Sequence, residues 1–187
     1  KRQGMAATPL DEACRAVLAR LSDDSGLTAY LSTLNQRETV VLQRLNGSHP
    51  VQVLSPPGSR RNASGTAMGR ALLSRLSEAE FQALYGTDAA QPLPMEGRDC
   101  PATVGDLARL VAQTRADHCG VAIDQAMPGI GAVAAAVRDP ATGELRGLCL
   151  SFVSFQADAA RVARLRESVL QQVAALGRAL NDPYWST

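Results

Sequence analysis

Lysine is almost missing from this 187-residue chain: Lys1 is the only one, and arginine supplies the other members of the 19 basic residues. The arginines are scattered rather than clustered, which points to coding bias. Against 18 Asp+Glu they leave a formal net charge of +1. So even a balance argues against a chain whose main business is gripping a polyanion. Histidine is limited to His49 and His118, so a general base is hard to find. No run of about eighteen apolar residues is present, which excludes a transmembrane helix. Lys1-Arg2-Gln3-Gly4-Met5 leads into an amphipathic helix rather than a signal-peptide core. The four cysteines (Cys14, Cys100, Cys119, Cys149) form no Cys-x-x-Cys pair. They suit reduced thiols in a cytoplasmic protein better than a zinc ribbon or a disulfide framework. Position 1 is not Met, and we expect a fragment of a longer protein. What is present suffices for a core: 45% of residues are apolar and 20% charged, the composition of one ordinary folded domain.

Local chemistry places the elements. Thr8 is a helix cap, Pro9 fits the first helical position and Asp11 complements the positive end. Leu10, Ala13, Cys14, Val17, Leu18 and Leu21 follow helical spacing until Ser22–Gly26. Runs at 27–34 and 39–45, joined by Asn35-Gln36-Arg37-Glu38, predict an antiparallel hairpin. Val51–Leu54 reads as a third strand, and Ser55-Pro56-Pro57-Gly58-Ser59-Arg60-Arg61-Asn62 as a loop. A helix is expected over 66–76, and another from Ser77, where Ser77 and Glu80 form a capping box and Gly86 a stop. A proline-rich loop over 87–102 precedes a helix capped by Thr103. Strands are expected at 121–124, 130–138 and 145–155, the last two flanking the Asp139–Gly143 turn. A helix over 157–180 closes the chain, with Val162, Leu165, Val169, Val173, Leu176 and Leu180 in one stripe. Such an order implies an α+β domain built on one mostly antiparallel sheet. The Ala132–Val137 run is apolar on both faces, as befits a strand with helices on one side and a cavity on the other.

Two stretches could carry binding. Across Ala63–Leu73 small residues crowd the point where loop becomes helix. Unpaired amides and the positive helix end favour a carboxylate or phosphate there, although capping alone accounts for the same residues. Cys149 and Ser151 lie two apart on a strand and so face the same side. A thiol and a hydroxyl aimed together can bond a buried polar ligand, or can simply fill an alanine-rich core.

The Gly58 loop followed by Ser64-Gly65-Thr66-Ala67-Met68-Gly69-Arg70-Ala71-Leu72-Leu73 resembles the signature helix of the IclR family of bacterial transcription regulators. Gly120-Val121-Ala122-Ile123-Asp124, and Pro128 through Asp139, are similar to that family's second block, and the likeness extends over nearly the whole chain. The resemblance implies a GAF-like effector-binding domain covering 1–187, with 1–8 a linker remnant. The winged helix-turn-helix that holds DNA in the family would precede it and is absent here. It also implies a ligand site at Gly65, Thr66, Ala67 and Met68, with Asp124, Ile130, Cys149 and Ser151 lining the pocket. The partners implied are a small organic-acid effector and further copies of the chain, as a homodimer or homotetramer; DNA is reached only through the missing domain. Gln125, Ala126, Ala132 and Ala136 depart from the family's usual residues. They make the pocket more apolar and roomier, which suits a larger or aromatic acid.

Other readings compete. A GAF-like module binding a cyclic nucleotide would share the fold without these motifs. A cysteine-dependent enzyme needs a nucleophile paired with a base. His49 lies in a turn and His118 abuts Cys119, whose side chain points elsewhere, so no catalytic residue is assigned. A metal site from Cys100, His118 and Cys119 lacks ligand spacing, and no metal or cofactor is expected.

Overall fold

Thr8 opens the first helix, α1 (Pro9–Ser25), through a reciprocal box: its hydroxyl accepts from the Asp11 amide, and the Asp11 carboxylate accepts from its own amide. In the computed structural model, which describes residues 7–186, α1 ends within the expected Ser22–Gly26 stretch, running through Ser25. Ser22 and Ser25 turn their hydroxyls onto the carbonyls of Leu27 and Leu21, and Gly26, at φ +73°, ends the helix. Positions 1–6, most of the expected linker remnant, lie outside the described residues.

The hairpin forms as expected from β1 (Thr28–Asn35) and β2 (Glu38–Leu45). The third strand does not form where expected. Val51–Leu54 is irregular, and β3 is instead Arg60–Asn62, paired with β2. Side chains explain the exchange by taking the backbone groups that a strand would pair. The Tyr30 hydroxyl donates to the Val53 carbonyl at 2.5 Å and accepts from the Ser55 amide at 2.8 Å. Gln52 reaches Thr28 and the Gly26 carbonyl. The Pro56-Pro57-Gly58 turn then delivers the chain back to the edge of β2, where the Ser59 carbonyl accepts from the Val41 amide.

Then come α2 (Ala67–Leu73), α3 (Glu78–Tyr85, with its Ser77/Glu80 box) and α4 (Val104–Asp117). The chain continues with β4 (Gly120–Ile123), β5 (Ile130–Arg138), β6 (Leu145–Val153) and α5 (Ala159–Ala179). The six strands make one sheet in the order β3-β2-β1-β6-β5-β4, antiparallel throughout. The expected α+β class holds.

Strand alternation gives the sheet two unlike faces. Val133, Ala135 and Val137 of β5 turn to α1 and α5, where Leu18, Leu21, Leu165, Val169 and Val173 complete the main core. Burying each large side chain there is worth about 1.5–3 kcal/mol. The apolar stripes of α1 and α5 are therefore spent on the sheet. Ala134 and Ala136 turn the other way, to α2. That face is built from small residues because α2 lies close against it. A Cβ on Gly147 would strike the Met68 sulfur, and one on Gly120 would come within 2.8 Å of the Ala67 carbonyl oxygen.

Beyond α5, a short turn clamps the end of the chain. Asp182 is fully buried, receives Arg75 through both oxygens at 2.9 and 2.7 Å and accepts the Arg138 amide. The Trp185 indole donates to the Ala136 carbonyl at 2.9 Å.

Candidate ligand-binding site

Helix α2 is only seven residues long and covers part of the sheet's second face. The rest of that face is left to a cavity of about 300 Å³, within the range of small-molecule sites. Strand alternation chooses its floor: Thr39 and Val41 from β2, Tyr30 and Ser32 from β1, Cys149 and Ser151 from β6, Ala132 from β5 and Ala122 from β4. Several are direct register partners: Tyr30 lies opposite Cys149, Ser32 opposite Val41, and Ala132 between Ser151 and Ala122. The start of α2 forms one wall. The 52–55 segment, tied down by Tyr30, and the loop carrying Ala126 and Met127 form others.

Six of the eight residues named from the sequence meet at this cavity: Thr66, Ala67, Met68, Ile130, Cys149 and Ser151. Thr66 spends its hydroxyl on the Gly69 amide at 2.8 Å, while the Ala67 and Met68 amides have no acceptor among the described residues. Gly65 and Asp124 are not part of the wall. Gly65 lies in the turn before α2, where an added Cβ would sit 3.6 Å from the Cys100 sulfur, in ordinary contact. Severe overpacking is therefore not expected from a small side chain there. Asp124 has a left-handed backbone, φ +60°, and turns its carboxylate back into its own loop. It accepts from the Gly129 amide at 2.7 Å and the Ser154 hydroxyl at 3.0 Å. Asp124 shapes the loop that carries Met127 without facing the cavity.

Buried Arg70 supports the same corner. It donates to Gln125 at 2.7 Å and to the Val121 carbonyl at 2.8 Å. Burial pulls its guanidinium down to about 10, so it remains charged at neutral pH. Cys100 donates to the Gln125 carbonyl.

The lining residues that no sequence motif marks include Tyr30, Ser32, Thr39 and Val41 of the hairpin, the 52–55 segment, Met127 and Arg61. By sequence Tyr30 is a strand residue and Arg61 part of a loop. The available signal for Arg61 was the Arg60-Arg61 pair beside the hairpin edge, since alternation sends one of any adjacent pair inward.

The site is poorly equipped for covalent chemistry. Burial pushes the Cys149 thiol up to about 12, against weaker pulls from Ser151 and the Tyr30 backbone. A thiol in that state is not a nucleophile at neutral pH. His118 faces the Tyr184 carbonyl at 3.0 Å, Cys119 sits in the main core and His49 is exposed in its turn. Cys100, His118 and Cys119 thus look in separate directions. No group of three His, Cys, Asp or Glu side chains able to hold a metal occurs among the described residues. Among those residues, too, no helix is long and apolar enough to cross a membrane.

The family model described as "Bacterial transcriptional regulator IclR C-terminal" matches residues 3–178. The chain belongs to the IclR family. Over 169 residues, 89% of this chain and 65% of the relative, it is 30% identical to the HTH-type transcriptional regulator XynR of Escherichia coli (strain K12). The repressor BlcR of Agobacterium tumefaciens superposes with a TM-score of 0.72 at 26% identity, over 90% of this chain and 65% of that one. The C-terminal domain of the regulator KdgR of E. coli shares the fold, with a TM-score of 0.75 at 16% identity, over 92% of this chain and 99% of that one. The chain spans less than two thirds of the length of the curated relatives it matches. Its IclR relatives are named as transcription regulators rather than enzymes, in line with the expectation that this domain does not catalyse a reaction.

Proposed function

We propose that this domain is the sensor of a transcription regulator. A small organic acid, aromatic or otherwise bulky, binds in the cavity unaltered and shifts the regulator between two states. The contacts assigned to it are the backbone at Thr66–Met68 and the side chains of Ile130, Cys149 and Ser151. DNA is held by an N-terminal winged helix-turn-helix beyond this chain, and the domain pairs as a homodimer or homotetramer. The DNA it addresses puts its work in the cytoplasm. One observation carries this reading: a cavity floored by one face of the sheet, where apolar side chains from five strands are interspersed with hydroxyls. Its volume is roughly ten times a water molecule's share of the liquid, so a two- or three-carbon acid leaves much of it empty.

A sensor of this kind needs only differential affinity. A ligand that binds one state a hundredfold better shifts the equilibrium by about 2.7 kcal/mol. Native mass spectrometry of the protein as purified counts subunits and detects a retained small acid. In a thermal-shift series, an acid present at a hundred times its dissociation constant stabilises by about 2.7 kcal/mol, or about 5–10 °C for a domain this size. If only pyruvate-sized 2-oxoacids stabilise the domain, the bulky-ligand reading fails. Stabilisation by nucleotides alone would fail the organic-acid reading as well.

A further inference from the structure

We infer that Arg61 is the residue that pairs with the ligand's carboxylate, from the outer edge of the sheet, and that it selects anionic over neutral ligands. This rests on the sensor reading above and deepens it. Three observations on β3 lead there. Arg60 and Asn62 lie on one face of the strand and are occupied: Arg60 is 3.8 Å from Glu38, and Asn62 donates to Glu96 at 2.7 Å. Arg61 lies on the opposite face, beside its register partner Thr39, and both line the cavity. The Arg61 guanidinium makes no hydrogen bond or ion pair among the described residues, although it is half-buried.

The rest of the wall sharpens the assignment. Among the described residues Arg61 is the one charged residue lining the cavity, and none of those lining it is an aspartate or glutamate. An anion entering would meet a cation and no repelling carboxylate. A planar guanidinium receives a carboxylate through two parallel N–H bonds, a geometry that an amide cannot match in charge. Between Arg61 and Ser151 the floor crosses β2 and β1 before reaching β6. Those three strand steps amount to about 14 Å across the sheet. The register offsets the two ends along the strands as well, Arg61 lying level with Leu34 of β1 through Thr39 and Ser151 level with Thr28. The ligand class is a monocarboxylate whose acid group meets Arg61 and whose largely apolar body lies along the floor, where a hydroxyl or carbonyl can bond the floor's hydroxyls.

The test measures binding calorimetrically on the intact domain, using benzoate, 4-phenylbutyrate and 4-(4-hydroxyphenyl)butyrate as probes, each beside its neutral carboxamide. Arg61→Gln is expected to weaken at least one acid by about tenfold to a hundredfold, as loss of a charged hydrogen bond does, and to leave the amides unchanged. Arg60→Gln removes the same charge one residue away on the opposite face and is expected to leave every affinity within twofold. An acid that binds Arg61→Gln as tightly as the parent overturns the inference and leaves the sensor reading standing, as does equal weakening by Arg60→Gln. If no acid or amide of the series binds the parent domain, the inference is overturned and the bulky-acid reading falls with it. Circular dichroism melts of both variants confirm folding, and Arg61→Lys, which keeps the charge without the fork, should recover part of the lost affinity.

Discussion

Replacing Gly69 with alanine sets two physical effects of known size against each other. Gly69 lies within α2, where alanine is the better helix former by about 0.8–1.0 kcal/mol. Judged as a helix alone, Gly69→Ala should stabilise the domain. The packing says otherwise. A Cβ at this position would land on the backbone of Ala63, against its carbonyl oxygen, Cα and carbonyl carbon, all far inside contact distance. Ala63 is fully buried, and its amide is bonded to the Arg37 carbonyl, so the turn before α2 cannot step aside freely. Overpacking of this kind costs about 1–3 kcal/mol and occasionally more. With backbone rather than a flexible side chain as the obstacle, we take the upper end. The net expectation is a loss of about 2 kcal/mol, or about 4–8 °C in melting temperature at this chain length. Urea denaturation with an unchanged slope and a lowered midpoint is the assay. Gly147→Ala is the comparison, because its obstacle is the Met68 sulfur, the far end of a pliable side chain, and it should cost less. A Gly69→Ala domain that melts at or above the parent would refute the idea that close approach of α2 to its own entry turn fixes this glycine.

Other variants probe separate parts of the fold. Asp182→Ala strands the buried Arg75 guanidinium and should cost about 3–5 kcal/mol, read from urea midpoints; a loss below 1 kcal/mol would mean the C-terminal clamp is dispensable. Burial pushes the Asp11 carboxyl up, but the hydrogen bond and charge of Arg146, with the bonds to Thr8, outweigh it and hold the group below its ordinary 3.8. A lowered folded-state value means stability that is present above the unfolded value and is lost as pH falls through the folded one. Asp11→Asn should therefore be less stable than the parent at pH 7, with the gap closing below about pH 4; a gap that widens in acid would contradict the assignment. Tyr30→Phe removes the two bonds that Tyr30 makes to the 52–55 segment, and amide exchange at Ser55 should quicken at least tenfold with little change in β1; unchanged exchange would release Tyr30 from that role. Asp124→Ala loses two carboxylate bonds and places alanine in a left-handed backbone, for a cost of about 2 kcal/mol, whereas Asp124→Asn should retain most of the stability.

Periodicity and capping chemistry made most of the fold legible. Thr8, Ser77, Thr103 and Gly86 stand where the helix ends were expected, because those signals act within four residues of the chain. The exchange of Val51–Leu54 for Arg60–Asn62 as third strand was not legible. It depends on a tyrosine hydroxyl more than twenty residues away, which occupies the backbone that apolar patterning alone assigns to the sheet. The same distance effect governs the site. Thr66–Met68, Cys149 and Ser151 could be named because a motif and a two-residue spacing marked them. Asp124 carried a motif as well, but its left-handed backbone turned it into its loop. Arg61 carried no motif, and its direction was set only once the register of β3 on β2 was known.

The small residues that look like a weakness in this sequence are what joins stability to binding. On the face toward α1 and α5 the sheet presents valines and leucines, and the core there is filled. On the opposite face Ala122, Ala132, Ala134, Ala136 and Gly147 present almost nothing, and two outcomes follow from that one pattern. Where α2 reaches, the absence of side chains lets a helix backbone settle close to the strands, which fixes Thr66, Ala67 and Met68 relative to Ser151. Beyond the start of α2, a helix of only seven residues, the same absence leaves an opening. Enlarging Ala134, which lies under the helix and is fully buried, should therefore destabilise the fold by overpacking. Enlarging Ala132, at the cavity floor, should instead fill the space at little cost and compete with whatever occupies it. Ala134→Phe and Ala132→Leu, compared by melting temperature and by binding of one bulky acid, separate the two halves of that face: the first should lose stability, the second affinity. Loss of stability from both, with affinity intact in Ala132→Leu, would mean that the floor near β5 is core rather than binding surface.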